Sequence, residues 1–302
     1  MQCALCKNEE SFENISHKDA KSSSNLLVSM CNKCGLIQQN PIPTSEELRV
    51  YYSHNYRNDY KNTYTPKPKH IYRAGKIALG RISFLNKHSV SKGKLLDIGA
   101  GGGEFVYLAQ KMGFDSQGIE PSIGYSEYAK NEYGCNVTTG ELDEINGAYD
   151  AITIFHVLEH LPDPIRAFEK LYHNLNKNGM LLVEVPWIET DDASPNNIYF
   201  KAHIFYFSID TLIACASQFF DVVKIDTSSN LKVLFKAKSK ETSVKLPDNS
   251  SVEALKKVMK NKNWIEYLFK GKGILKPFKK IAQIIEERKS KEKNPKSILD
   301  DL

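Results

Sequence analysis

The chain has 302 residues, is 41% hydrophobic and 25% charged, and carries a formal charge of +5. That length allows one main domain with appendages around a sizeable core. It contains no apolar run of membrane-spanning length and no signal-peptide pattern, so the expected compartment is the cytoplasm, with contact at the inner membrane face left open. From Ser251 onward there are 14 Lys and Arg against 7 Asp and Glu, a net of +7 that leaves −2 for the rest. A body that is not basic argues against a nucleic-acid track.

Residues 1–40 read as a metal-binding module. Cys3-x-x-Cys6 and Cys31-x-x-Cys34 are two knuckles separated by 24 residues, a spacing that suits tetrahedral Zn²⁺ on four thiolates. Two disulfides or four free thiols are the alternatives, and disulfides are disfavoured in a reducing compartment. Four protein ligands would close the shell and make the metal structural. Cys135 and Cys215 lie in apolar stretches and read as core.

Residues 41–69 form a connector holding Tyr51, Tyr52, Tyr56, Tyr60 and Tyr64. Thr65-Pro66-Lys67-Pro68 leads into a first helix, where Arg73 is either a cofactor ligand or a surface residue. Residues 70–240 then alternate strand and helix. Lys94 to Ile98 is a short apolar strand running into Gly99-Ala100-Gly101-Gly102-Gly103. Phe105, Leu108, Ala109 and Met112 follow at helical spacing, with Gly113 as the stop. Such a loop brings backbone N–H groups and a helix N-terminus to a ligand. A second strand ends at Glu120-Pro121, 23 residues after Asp97. A carboxylate there can accept two ribose hydroxyls, a device shared by nicotinamide and other adenosine cofactors. Further strands are expected at Asn136–Thr139, Ala148–Phe155, Asn178–Val185, Phe220–Asp226 and Leu231–Lys238. Ser208 reads as an N-cap for a helix facing Ile209, Leu212, Ile213 and Ala216 inward.

Residues 241–302 interleave Trp264, Tyr267, Leu268, Ile274, Leu275, Phe278, Ile281, Ile284 and Ile285 with lysines. This is a basic amphipathic tail. It covers the main domain, meets an anionic membrane surface, docks on a partner or contacts nucleic acid.

Asp97 with Gly99-x-Gly101-x-Gly103 resembles motif I of the class I S-adenosylmethionine-dependent methyltransferases. Phe155-His156-Val157-Leu158-Glu159-His160-Leu161-Pro162-Asp163-Pro164 resembles the fourth motif of one branch. The cysteine module and tyrosine-rich connector resemble the subgroup with an N-terminal zinc-binding segment, whose members methylate carbon or oxygen of sugars and related small molecules. The resemblance implies an α/β, Rossmann-like seven-stranded sheet with helices on both faces, plus a small zinc-ribbon-like module and a helical tail. It implies S-adenosylmethionine at Asp97, Gly99, Ala100, Gly101, Gly103, Glu120, Pro121, Glu141, Leu142, Phe155 and His156. It implies an acceptor near Tyr52, Tyr56, Tyr199 and Tyr206.

Tyr199-Phe200-Lys201-Ala202-His203-Ile204-Phe205-Tyr206-Phe207-Ser208 is similar to a family segment reading "EH-x-x-YFS", whose His is the base in sugar C-methylation. Here Ala202 stands at the Glu position and Phe200 where Tyr is common. These departures favour O-methylation of a sugar hydroxyl, with His203 as first base and His156 as second. His160 reads as structural, with a Glu159–His160 metal site as a lesser alternative. An RNA methyltransferase, a sugar C-methyltransferase and a non-catalytic scaffold are the competing functions. Oligomeric state is left open.

Overall fold

The structure, a computed structural model, describes residues 2–50 and 66–302. Tyr52 and Tyr56 lie outside these residues.

A seven-stranded sheet is built from β4 (Gly93–Ile98), β5 (Phe114–Glu120), β6 (Val137–Thr139), β7 (Tyr149–Phe155), β8 (Leu175–Val185), β10 (Phe220–Asp226) and β11 (Leu231–Ala237). Its order is β10-β11-β8-β7-β4-β5-β6. The five strands from β6 to β8 are parallel, while β11 pairs antiparallel with both β8 and β10. The strand boundaries expected from sequence hold to within about three residues, as the turn residues that bound them dictate.

Burial on both faces explains the near-continuous apolar runs in β4, β7 and β8. Leu96, Ile98, Ile152, Ile154, Leu181 and Val183 face one core. Leu95, Ala151 and Leu182 face the other. On the second face lie α2 (Pro68–Lys87), α3 (Glu104–Lys111) and α4 (Ile123–Tyr128). On the first lie α5 (Pro164–His173) and α6 (Ile209–Ala216). Ser208 caps α6 as expected, accepting from Thr211 N. Met112, expected inward, lies one residue beyond the end of α3 and is half exposed.

The N-terminal residues form a second sheet of β1 (Phe12–Lys18), β2 (Asn25–Cys31) and β3 (Ile37–Gln39). Its fourth strand is β9 (Phe205–Tyr206), which lies between β8 and β10 in the chain. The module expected at 1–40 is therefore joined to the main domain through a shared sheet. The short helix Ser45–Val50 (α1) follows it.

The tail forms α7 (Asn249–Asn261), α8 (Trp264–Phe269), α9 (Lys276–Glu287) and α10 (Pro295–Asp300). Val252 and Leu255 of α7 pack beside Gly35 of the cysteine module. Leu299 of α10 and Leu302 beyond it close on Gly75 of α2 so tightly that a Cβ at Gly75 would meet their methyls. Helix α9 is turned the unusual way round. Its Glu287 accepts from Arg73 Nη2 at 2.8 Å and its Glu286 from Tyr72 Oη at 3.1 Å, so its acidic side faces α2. Arg73 thus serves the tail. Phe278, Ile281, Ile284 and Ile285 are left exposed, at i, i+3, i+6 and i+7.

Candidate active site

The site opens at the carboxyl edge of the parallel strands, where β4 gives way to the glycine loop. Gly99 N and Ala100 N both donate to Ile119 O, at 2.8 and 3.0 Å, which pins the loop across the end of β5. Gly99, Gly101 and Gly103 all have positive φ, at 72°, 53° and 85°. They differ in what surrounds them. A Cβ on Gly99 would lie 2.4 Å from Val157, and one on Gly103 2.6 Å from Ala129. A Cβ on Gly101 would meet nothing within 4 Å, so the crest of the loop faces open space.

Two buried carboxylates lie on the strands that end at the loop. Glu120, at the end of β5, accepts from Gly101 N at 2.9 Å and Ser122 N at 3.0 Å, while burial pushes its carboxyl up. Asp97, on the neighbouring strand, accepts from Thr153 Oγ1 at 2.6 Å. Burial raises Asp97 to about 7, against the lowering effect of that bond and of the Arg81 charge. The next buried acid, Glu104 at the start of α3, is also raised by burial to about 7.

The donor set fits S-adenosylmethionine. An ammonium group beside Asp97 would supply the counter-charge that burial denies it, and Glu120 keeps accepting capacity for hydroxyls. Phe155 contributes an apolar wall, with the Arg81 guanidinium 3.9 Å over its ring. Leu142 is half-buried against the core. Glu141 is exposed, and its backbone N–H donates to Glu144 Oε2 at 2.7 Å. Pro121 is exposed beyond Glu120.

A polar wall stands beyond β7. His156, the first residue after the strand, has φ 55°, a conformation that costs about 1–3 kcal/mol for a non-glycine residue and clusters at functional sites. Its Nδ1 lies 3.5 Å from Glu159 Oε1 and its Nε2 3.4 Å from Glu184 Oε1. Burial works against the charged ring, but the two carboxylates outweigh it and lift His156 to about 9. The ring is therefore cationic at neutral pH, which removes its expected role as second base. Glu184 also accepts from Arg81 Nε at 2.8 Å and Asn230 Nδ2 at 2.8 Å, and these partners hold it well below the usual carboxylate range despite burial.

His203 lies on the other side of Glu159. Its ring is 5.0 Å from that of His160, edge to face. Burial, then the neighbouring His160, pulls His203 down to about 4, so it is neutral at physiological pH. Its loop is clasped by the N-terminal module. Gln39 Nε2 donates to Lys201 O at 2.8 Å and to His203 O at 2.9 Å, and Asp19 Oδ1 accepts from Lys201 N at 2.7 Å.

Tyr206, expected at the acceptor, is 4% exposed. Its hydroxyl accepts from Phe200 N and donates to Phe200 O, both at 2.9 Å. It holds the loop's shape and is removed from substrate contact by that saturation. Tyr199 packs on it at 5.2 Å, with its hydroxyl pushed up by burial.

Arg81, Glu184, Asn230 and Thr153 escaped the sequence reading. Glu184 left one usable signal, a lone acid in the apolar run from Met180 to Val185.

The four cysteines converge. Cys3 Sγ is 3.5 Å from Cys34 Sγ, Cys6 Sγ is 3.5 Å from Cys31 Sγ, and all four sulfurs lie within 4.8 Å of one another. The two knuckles share one geometry. Lys7 N donates to Cys3 O at 3.0 Å and Gly35 N to Cys31 O at 2.8 Å, with Lys7 and Gly35 both left-handed. The crowding drives the thiols apart in acidity: hydrogen bonds from Cys3 and Cys34 hold Cys31 far down, and Cys3 itself is pushed up to about 12. Cys135 and Cys215 are buried core residues, as expected.

A family model described as a methyltransferase domain matches residues 70–225. The ubiquinone biosynthesis O-methyltransferase of Methylococcus capsulatus is 33% identical over 94 residues, which cover 28% of this chain and 40% of that protein. The tRNA U34 carboxymethyltransferase of Campylobacter fetus subsp. fetus is 34% identical over 70 residues, 22% of this chain and 25% of that one. The chain therefore spans less than half the length of either relative. Among solved structures, the magnesium protoporphyrin IX methyltransferase of Synechocystis PCC 6803 aligns with a TM-score of 0.45 and 15% identity, over 63% of this chain and 95% of that one.

Proposed function

The chain belongs to the methyltransferase-domain family, and we propose that it transfers a methyl group to a hydroxyl of a small molecule, with a sugar as the preferred acceptor. The domain is that of an S-adenosylmethionine-dependent methyltransferase. One observation carries the reading of the donor site: Glu120, buried at the end of β5, accepts from Gly101 N at the open crest, and Asp97 is buried on the adjacent strand that leads into the loop.

The donor, when bound, supplies an electrophilic methyl on a sulfonium, so the protein's task is to place and activate the acceptor. Asp97 and Glu120 fix the donor's two ends. The acceptor oxygen is activated at His203, the neutral imidazole of the polar wall. Ala202 in place of a carboxylate leaves fewer groups to hold an enolate, which favours oxygen over carbon. The slightly acidic body favours a small acceptor over RNA.

The Cys3, Cys6, Cys31 and Cys34 set is read as a structural Zn²⁺ site. At Zn–S bonds of about 2.3 Å the edges of the tetrahedron are about 3.8 Å, close to the sulfur spacing here. The exposed face of α9, ringed by Lys270, Lys272, Lys276, Lys279 and Lys280, is read as an anionic-membrane contact.

The deciding experiment is a labelled-methyl transfer screen with the full chain against nucleotide sugars, phenols and total RNA, run beside calorimetry with S-adenosylhomocysteine. Transfer to a sugar hydroxyl that H203A abolishes without loss of cofactor binding supports the proposal. Transfer to RNA alone, or no cofactor binding, refutes it. Zinc release on thiol titration and sedimentation with phosphatidylglycerol vesicles, lost on I281E/I285E, test the two other assignments. A dimer through the same face would overturn the membrane reading.

A further inference from the structure

Glu159 is a buried carboxylate whose nearest counter-charge, the His156 ring, stands 3.5 Å away. It is 1% exposed, and neither carboxylate oxygen receives a hydrogen bond. A buried carboxylate in this state loses several kcal/mol of solvation unless a cation replaces the water. Its surroundings are imidazoles. Glu159, His160 and His203 bring one ligand atom each to within 4.8 Å of one another. Three donors sharing one ion at bond lengths near 2.1 Å stand about 3.0–3.6 Å apart, so shifts of up to about 1–2 Å complete the set.

His160 is already oriented for the task. Its Nδ1 is 2.7 Å from Ala202 O. A carbonyl only accepts, so Nδ1 carries a proton, and Nε2 is the ring atom turned toward Glu159, 3.9 Å from its Oε1. A backbone carbonyl on the far nitrogen is the usual second partner of a metal-bound imidazole. His156 approaches the same carboxylate at 3.5 Å, but its other nitrogen faces Glu184 and Asn230, so it borders the set without joining it.

We propose that Glu159, His160 and His203 bind one divalent first-row cation, with open positions facing the acceptor. Two imidazoles and one carboxylate favour such an ion over Mg²⁺ or Ca²⁺. The inference rests on the methyltransferase reading for its consequence only. An acceptor hydroxyl on an open position would become more acidic and release its proton to water, making His203 a ligand rather than the direct base. The site spans two segments. Glu159 and His160 sit on a short turn after β7, and His203 on the loop clasped by Gln39.

The test is Co²⁺ binding to the full chain with its thiolate site filled with zinc, followed by calorimetry and visible absorption. Wild type should take up one equivalent with the weak bands of an oxygen and nitrogen shell, and E159Q and H203A should each weaken binding at least tenfold. S-adenosylhomocysteine binding, measured on the same samples, reports whether the variants fold. Wild type that binds no Co²⁺ but keeps cofactor binding overturns the cation site and leaves the methyltransferase reading standing. So does equal Co²⁺ binding in wild type and both variants. Failure of wild type to bind the cofactor strikes the methyltransferase reading instead.

Discussion

Replacing Gln39 by Leu tests whether the N-terminal module holds the loop that carries His203. Gln39 is 5% exposed, and its side chain gives one N–H bond to Lys201 O and one to His203 O. Leu fills a similar volume but donates nothing. Two carbonyls are then left without their partner, at about 1–3 kcal/mol each when buried, discounted because Lys201 is exposed. A total of about 2–4 kcal/mol follows, a melting shift of about 4–8 °C for a domain of this class. The backbone bond from Gln39 N to Ile204 O, at 2.8 Å, survives, so the sheet should stay paired. Hydrogen exchange should therefore show faster opening confined to residues 199–204, while turnover falls and S-adenosylhomocysteine affinity stays within twofold. Unchanged exchange in that loop together with an unchanged melting temperature would refute the clasp.

Asp97→Asn should weaken cofactor binding by about 10- to 100-fold, the value of one charge-assisted bond. Because the folded pKa of Asp97 is raised from 3.8 to about 7, its contribution to stability is full below 3.8 and is lost as pH rises toward 7, so the variant's denaturation profile should fall less steeply over that window. Gly99→Ala should destabilise the fold by more than Gly101→Ala, since only the former's methyl meets Val157; Gly101→Ala should instead cost ligand affinity, seen by calorimetry. Arg81→Ala strips the 5%-exposed Glu184 side chain of its guanidinium, and urea denaturation should show a loss of about 3 kcal/mol, partly restored by Lys.

What could be read in advance follows the range of the interactions involved. Asp97, Glu120 and the glycine loop announce themselves because strand, turn and acid lie within a few residues, and the cysteines because each pair sits within one tight knuckle. Arg81 and Glu184 are 103 positions apart, and neither carries a motif. Strand β9 is two residues long, too short for any periodicity, yet it decides how the N-terminal module attaches. The bonding of Tyr206 was hidden for the same reason: only tertiary pairing reveals that its hydroxyl is held by Phe200.

The shared sheet also has a consequence for how the chain is made. Synthesis delivers β1, β2 and β3 before β9, with both cysteine knuckles, so the four-cysteine cluster can assemble while the rest is still on the ribosome. The outer edge of β3 then waits unpaired until Phe205 and Tyr206 arrive, some 166 residues after Gln39. An open edge of this kind recruits foreign strands. Nascent chains stalled between residues 40 and 205 should thus be the aggregation-prone species, and chaperone demand should drop once β9 emerges and closes the sheet.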